Sequence, residues 1–353
     1  MLRRIAATII LVTSTLTLTA MDPARRIERR GAFAFHYGPS LDEGAMRWYS
    51  RFDILVTHDP LPADQVRRLH AAGTKLVLYE WAVAFYETRA TDWQRSLLGK
   101  SRAALLNGRP LTGGVGSAVA PSWYFDPADP DLAAARASDL KRRIESAGYD
   151  GVFLDTTTFE SVHPDARAEY TRRHPDVPYD RAYSRFLARL RQELRRGIIF
   201  TNQGFRQADD YLPYVDWDLT ESLVTRPVDG KFRVRPWNDP ADPWNSTLFL
   251  MRTFIEPASR KYPNVRFGHL NYVDAADGHV TELVQAAALL FGGEGYVAAT
   301  RPADEENAVY FRDPGKPLAP RIDSPDGSSR VLEHVTVTVT TKGGEPRAVF
   351  QKR

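Results

Sequence analysis

Carboxyl and amide side chains recur at the ends of short apolar runs in this chain. Gly151-Val-Phe-Leu-Asp155 ends in Asp155, and Trp217-Asp-Leu-Thr-Glu221 ends in Glu221. Ser122-Trp-Tyr-Phe-Asp126 ends in Asp126, and the run from Thr74 to Trp81 carries Glu80 near its end. Ile198-Ile-Phe-Thr-Asn202 ends in Asn202 with Gln203 next, while His58, Asp59 and Asn271 close two further runs. Aromatic residues stand close to these ends: Tyr37, Tyr79, Trp81, Tyr86, Trp123, Tyr124 and Trp237. Two carboxyl groups in one cleft can divide acid and base work, because burial and neighbouring charge separate their pKa values. Aromatic faces stack on sugar rings, and carboxylates and amides bond sugar hydroxyls. The chemistry that these residue types fit is glycoside hydrolysis by a carboxyl pair.

Each candidate also has a plainer role. Asp155 serves either chemistry or the capping of the next segment. Glu221 serves as a second carboxyl or pairs an arginine such as Arg226. Asp126 binds substrate or anchors the turn before Pro127. Asn202 bonds a sugar hydroxyl or holds its strand end. Tyr37 and Trp123 are rim aromatics or core. Glu80 and Gln203 are expected to touch substrate, and His58 reads as a structural histidine.

Other chemistries lack their signatures. The eight histidines are scattered, with no H-E-x-x-H, so no metal is expected. The absence of cysteine excludes disulfides, thiolate sites and cysteine nucleophiles. There is no G-x-S-x-G elbow. No G-x-G-x-x-G or Walker loop follows a strand, so no nucleotide cofactor is expected. The net charge is +3, and the arginines are spread without the basic and aromatic interleaving of nucleic-acid binders.

To bring these strand ends together, the chain needs a parallel sheet. Strand-like segments alternate with helical ones. Strands are expected at residues 32–37, 52–58, 74–81, 122–126, 151–155, 198–202, 217–221 and 265–271. Helices are expected near 62–72, 132–147, 179–196, 244–262 and 281–291. Eight strand–helix repeats predict an α/β fold, a (β/α)8 TIM barrel over residues 31–300, with all strand ends facing one mouth. A doubly wound sheet is the alternative. Residues 296–299 read as a further strand. Residues 301–353 read as a small β-rich appendage, with Val335, Val337 and Val339 on one face of a strand.

At the other end, Arg3 and Arg4 precede an apolar run from Ile5 to Ala20. This reads as a signal peptide or N-terminal anchor over residues 1–20, and predicts an exported protein, secreted or periplasmic, with no stable membrane span after cleavage.

Several pieces, in this order, resemble the endo-α-1,4-polygalactosaminidase-like glycoside hydrolases and their bacterial relatives. They are Phe52 to Gly73 leading to Lys75-Leu-Val-Leu-Tyr79, Trp123-Tyr-Phe-Asp-Pro127, Gly148-Tyr-Asp-Gly-Val-Phe-Leu-Asp155, Asn202-Gln-Gly204 and Glu221-Ser-Leu223. The resemblance implies a TIM-barrel hydrolase of a polysaccharide, with Asp155 and Glu221 as the catalytic pair. The chain departs from the family after Tyr79, where Glu80-Trp-Ala-Val-Ala stands in place of a small turn. It departs again at Thr156-Thr-Thr158, where the family carries acidic residues. A barrel that binds carbohydrate without cleaving it is the alternative function.

Overall fold

The computed structural model describes residues 31–100, 105–112, 121–273, 278–291, 295–300, 314–342 and 344–353. The expected signal segment, 1–20, lies outside the described residues.

Eight parallel strands form one sheet: β1 Gly31–His36, β2 Phe52–Thr57, β3 Lys75–Trp81, β6 Gly151–Asp155, β7 Ile198–Asn202, β8 Trp217–Glu221, β11 Arg266–Val273 and β12 Gly295–Thr300. The order along the sheet is the order in the chain. The two edge strands, β1 and β12, come together with Cα atoms within 8 Å, which closes the barrel. This is the expected TIM-barrel fold, with one strand exchanged.

The run 122–126, expected as the fourth barrel strand, contains β5, Ser122–Tyr124. It pairs antiparallel with β4, Ala84–Tyr86, outside the barrel. β3 pairs directly with β6 instead, Val77 opposite Gly151. The excursion between them forms its own aromatic knot, with Phe85 and Phe125 rings 5.3 Å apart and Trp93 5.4 Å from Phe125. The eighth place is filled by β12, the segment read as an extra strand.

Each residue of Gly148-Tyr-Asp-Gly151 has a reason to be there. The helix Pro130–Ala147 starts on Asp129, whose carboxylate accepts from the backbone N–H groups of Asp131 and Leu132, and ends on Gly148 at φ 69°. The Tyr149 hydroxyl lies 2.7 Å from Thr57 Oγ1 and accepts from Leu61 N–H. The Asp150 carboxylate accepts from Leu76 N–H at 2.8 Å and contacts His70 Nε2 at 2.9 Å. At Gly151 a Cβ would lie 2.2 Å from the Ile198 carbonyl oxygen, so only glycine lets β6 meet β7 here. The motif is thus the foundation that sets β6, and with it Asp155.

Two further sheets complete the fold. β9 Thr225–Val228 and β10 Lys231–Val234 form an antiparallel ribbon directly after β8. β13 Ile322–Ser324, β14 Gly327–Val331, β15 Val335–Thr340 and β16 Arg347–Lys352 form an antiparallel sheet. It packs on the helix Gly278–Phe291 through the buried faces of Val335, Val337 and Val339.

Candidate active site

Side chains on a strand alternate between faces, so residues two apart share one. The barrel interior is an apolar layer of Phe35, Val56, Val77, Phe153, Phe200, Leu219 and Leu270, with Phe33, Ile54, Ile198 and Trp217 beneath. Two residues further along each strand the same face carries Tyr37, His58, Tyr79, Asp155, Asn202, Glu221 and Tyr272. A greasy plug thus supports a polar ring at the carboxyl end of the barrel, where chemistry is placed in this fold.

Asn202 joins the two carboxylates in that ring. Its Nδ2 donates to Asp155 Oδ1 at 2.9 Å and to Glu221 Oε2 at 2.8 Å. Two oxygens bonded to one nitrogen at these lengths lie no more than about 6 Å apart, the close spacing of a carboxyl pair acting on one bond. Asp155 receives two further donors. Tyr79 O–H donates to Oδ2 at 2.5 Å, and Thr156 N–H donates to Oδ1 at 2.8 Å. Trp81 Nε1–H in turn donates to the Tyr79 oxygen at 3.1 Å, which aims the phenol proton at Asp155. Burial, then the neighbouring Asp155 charge, push the Tyr79 pKa well above its ordinary value, so the phenol stays a donor.

The backbone turns sharply after each of the three bridged residues. Thr156 has φ 59°, Gln203 φ 59° and Ser222 φ 60°, all in the left-handed region without being glycine. Such residues cost roughly 1–3 kcal/mol each and persist where the surroundings over-determine them. Gln203 N–H donates to the Leu219 carbonyl at 2.7 Å, and Ser222 N–H to the Leu270 carbonyl at 2.7 Å. These bonds extend the sheet one step and then release the chain, leaving Asp155, Asn202 and Glu221 as the last side chains facing inward.

The turn after Asn202 has its own support. Asp218 is fully buried on the outer face of β8. It accepts from Thr201 Oγ1 at 2.8 Å, Gly204 N–H at 2.7 Å and Phe205 N–H at 2.8 Å. A Cβ on Gly204 would lie 2.8 Å from Asp218 Oδ1, which accounts for the glycine of Asn202-Gln-Gly204. Burial raises the Asp218 pKa to about 7 against the pull of these donors. The Asn202 carbonyl accepts from Thr157 Oγ1, so the threonine run after Asp155 reaches across to hold its neighbour.

On the other side of Asp155 the ring is aromatic. His58 stacks on Tyr79 at 3.8 Å and 15°, and Tyr37 lies over His58 at 4.3 Å. Burial, then the charge of Arg89, push the His58 pKa down to about 4, so the imidazole is neutral near pH 7. Its buried Nε2 has no hydrogen-bond partner. Tyr37 and Tyr272 share a hydrogen bond, and burial together with the Glu221 charge raises the Tyr272 pKa far above the ordinary range. A cavity of about 460 Å³ opens here, lined by His58, Tyr79, Trp81, Tyr86, Arg89 and Arg143 among others.

The remaining expected residues lie off the polar ring. Glu80 is one residue out of phase with Tyr79 and turns to the outer face of β3. There it accepts from Arg136 Nη2 at 2.9 Å and pairs with Arg143 beneath the helix Pro130–Ala147. It is tied into a buried ion network, because neighbouring strand residues point to opposite faces, and it also lines the cavity shared with His58, Tyr79 and Arg143. Asp126 accepts from Ala128 N–H at 3.0 Å and contacts His174 Nε2 at 2.7 Å, as an anchor of the turn after β5. Trp123 is buried on β5 and donates to Glu87 at 3.2 Å. Neither residue stands on a barrel strand. Trp237 is buried under the C-terminal sheet, bonded to Ser328. Tyr272 enters the site without having been singled out, and Tyr79, expected as one of the aromatics near a strand end, enters as a donor to Asp155. The signal for Tyr272 is the alternation itself, counted from Leu270.

Among the described residues, no group of three or more histidine, aspartate or glutamate side chains is arranged to hold a metal ion. No protein-family profile matches the chain, and no curated protein sequence does. Solved structures match it by fold. The glycoside hydrolase domain of PelA from Pseudomonas aeruginosa is 21% identical, with a TM-score of 0.52, over 76% of this chain and 93% of that one. The α-galactosidase TtGalA from Thermus thermophilus, in complex with p-nitrophenyl α-D-galactopyranoside, is 15% identical, with a TM-score of 0.51, over 89% of this chain and 67% of that one. At these identities the shared property is the fold, and the barrel implied by the polygalactosaminidase-like motifs is the barrel found.

Proposed function

We propose that this chain is a glycoside hydrolase that cleaves a polysaccharide with Asp155 and Glu221 as its catalytic pair. The observation that carries the reading is the single Asn202 amide shared by the two carboxylates at the barrel mouth. A binding-only barrel has no need to hold two carboxylates at this spacing. Asp155, with donors from Tyr79, Asn202 and Thr156, is the nucleophile. Its oxygen attacks the anomeric carbon while Glu221 gives its proton to the departing glycosidic oxygen. Glu221, now ionised, takes a proton from water. That water displaces Asp155 from the same carbon, and Glu221 ends protonated as it began. The close spacing favours this two-step, retaining course over single inversion.

The structural likeness to the PelA glycoside hydrolase domain and to TtGalA supports the reading at the level of fold. The resemblance to polygalactosaminidases makes oligogalactosamine one substrate to test. Tyr37 and Gln203, at the mouth, are assigned to substrate contact. Export is part of the same proposal. It rests on the Arg3-Arg4 and Ile5 to Ala20 pattern, and no described helix is long and apolar enough to cross a membrane.

The test is a screen of the purified protein against neutral, amino-sugar and acidic polysaccharides, with Asp155→Asn and Glu221→Gln in parallel. Both variants are expected to lose product release while staying folded. Azide is expected to rescue Asp155→Ala or Glu221→Ala with a new glycosyl azide. Identical products from the wild type and both variants would refute the assignment.

A further inference from the structure

We propose that the glycan is anionic, and that the basic face of the β9–β10 ribbon binds its carboxylate, sulfate or phosphate-ester groups beside Glu221. The inference rests on the glycoside hydrolase reading and names the substrate class of that same site.

The ribbon begins three residues beyond Ser222 and stands against the mouth. Thr225 Oγ1 donates to the Tyr272 carbonyl at 2.8 Å, and the Phe232 ring lies 5.4 Å from the Tyr272 ring. Arg235 Nε donates to the carbonyl of Ser222, the residue after Glu221, at 2.9 Å. The ladder sorts the two faces. Lys231, Arg233 and Arg235 alternate with Phe232 and Val234, and Arg226 is directly opposite Arg233. Phe232 faces Tyr272, so the other face carries Arg226, Lys231, Arg233 and Arg235 together. Arg206, from the turn after Asn202, is near enough that its charge and that of Arg226 act on Arg235. Burial and this repulsion bring the Arg235 pKa down to about 10, with Asp242 opposing them.

Like charges directly across a ribbon destabilise it. Here the pairing of Arg226 with Arg233 is adjoined by further cations, and among the described residues none of Arg206, Arg226, Lys231, Arg233 and Arg235 is in an ion pair. Guanidinium groups are suited to carboxylate, sulfate and phosphate, which they bind through two parallel N–H groups. A bound anion would relieve the repulsion that the sequence builds in. The occupant is a glycan and not another polyanion because the ribbon rises from the loop of Glu221 and leans on Tyr272. A chain lying across it therefore runs into the mouth.

The test measures binding without turnover. Fluorophore-labelled oligogalacturonate, sulfated oligogalactan, neutral oligogalactan and oligogalactosamine of equal length are titrated with the full protein, and single-stranded DNA is titrated as a polyanion control. One of the two anionic oligomers is expected to bind about tenfold more tightly than the neutral one, with an affinity that falls as salt rises. The oligomer that does so separates carboxylate from sulfate recognition. Arg226→Gln/Arg233→Gln is expected to weaken that binding about tenfold, to leave binding of the neutral oligomer unchanged, and to keep or raise the melting temperature because it removes the repulsion across the ribbon. Equal or tighter binding of the neutral or amino-sugar oligomer, unchanged anionic binding in the double variant, or a preference for DNA would each overturn the proposal. If a neutral or amino-sugar polymer is hydrolysed in an Asp155-dependent way while anionic oligomers do not bind, this inference fails alone. If anionic oligomers bind and no polymer is hydrolysed, the catalytic reading fails instead.

Discussion

Asp155 and Glu221 come from different strands yet accept hydrogen bonds from one nitrogen, Asn202 Nδ2, at 2.9 and 2.8 Å. The amide is neutral and supplies one proton to each carboxylate, so it holds the pair close without choosing which is ionised. Removing it leaves two carboxyl groups facing each other across a short gap with nothing between them. Asn202→Ala is expected to lower kcat about a hundredfold, as for loss of one preorganised donor in an active site. Asn202→Asp, which adds a third carboxyl, is expected to be worse. Steady-state kinetics on the best polymer of the screen, with thermal melts as a folding control, checks both. A wild-type rate in Asn202→Ala would remove the bridge from the mechanism.

Tyr79 is the second support of Asp155. Its hydroxyl donates to the carboxylate and accepts from Trp81, and its raised pKa keeps it protonated through neutral and mildly alkaline pH. Tyr79→Phe removes the donor and leaves the ring in its stack on His58. The expected loss in kcat is about tenfold, from one hydrogen bond to a charged acceptor. The basic limb of the kcat/KM profile is expected to stay in place, because the raised pKa of Tyr79 keeps the phenol protonated across it. Its disappearance in Tyr79→Phe would show that the phenol titrates during turnover.

Glu80 was a site candidate from its place near a strand end, and its surroundings predict a different phenotype. It lies between Arg136, which is 2% exposed, and Arg143. Glu80→Ala leaves the buried Arg136 with Asp139 as its remaining carboxylate partner, at 3.3 Å. A loss of about 3 kcal/mol in stability is expected, because breaking a buried pair strands a charge. The folded fraction should keep near-wild-type kcat and KM. Urea unfolding alongside kinetics separates the two, and a large change in kcat with unchanged stability would return Glu80 to the site.

This contrast shows how far the sequence could be read. The alternation that buries Val77, Phe153, Phe200 and Leu219 also fixes Tyr79, Asp155, Asn202 and Glu221 as inward residues, and this is legible from spacing once the strands are known. Glu80 fails the same count by one residue. Asp126 and Trp123 escape it for another reason. Ser122-Trp-Tyr looks like any short apolar strand, and only the long-range choice of β3 to pair with β6 places it outside the barrel. That choice sets Val77 opposite Gly151 across 74 residues of chain, a long-range register that spacing alone does not reveal. The closing strand β12 lies at the far end of the chain, after eight strand-like runs that already fill the count.

Thr156 is a β-branched residue at φ 59°, a conformation such residues rarely adopt. Thr156→Gly is expected to relieve roughly 1–2 kcal/mol of strain. About 0.5–1 kcal/mol of that is offset by the freedom glycine gains in the unfolded chain. The net expectation is a small rise in melting temperature together with lower activity, since the backbone that presents Thr156 N–H to Asp155 becomes freer. A fall in both stability and activity would mean that the side chain, 8% exposed, contributes more by packing than it loses by strain.

Asp218 links stability to pH. Its folded pKa, about 7, is above the unfolded value of about 3.9, so the folded state holds this proton more tightly. Below about pH 4 both states are protonated and the group has no effect on stability. As pH rises toward 7 the unfolded chain ionises first, and stability falls by the cost of charging a buried carboxyl. Above about pH 7 both states are ionised and the penalty is complete and constant. Asp218→Asn removes the titration while keeping the shape. At low pH the variant should be less stable by about 1–3 kcal/mol, because its NH₂ group faces a backbone N–H to which the neutral carboxyl still presents an oxygen. That deficit should shrink between pH 4 and 7, reverse in sign because a pKa raised from about 3.9 to about 7 is worth about 4 kcal/mol, and then level off. Parallel melts of both proteins across this range give the difference directly, free of the other titrating groups they share. A deficit that stays constant would mean that Asp218 keeps one protonation state throughout.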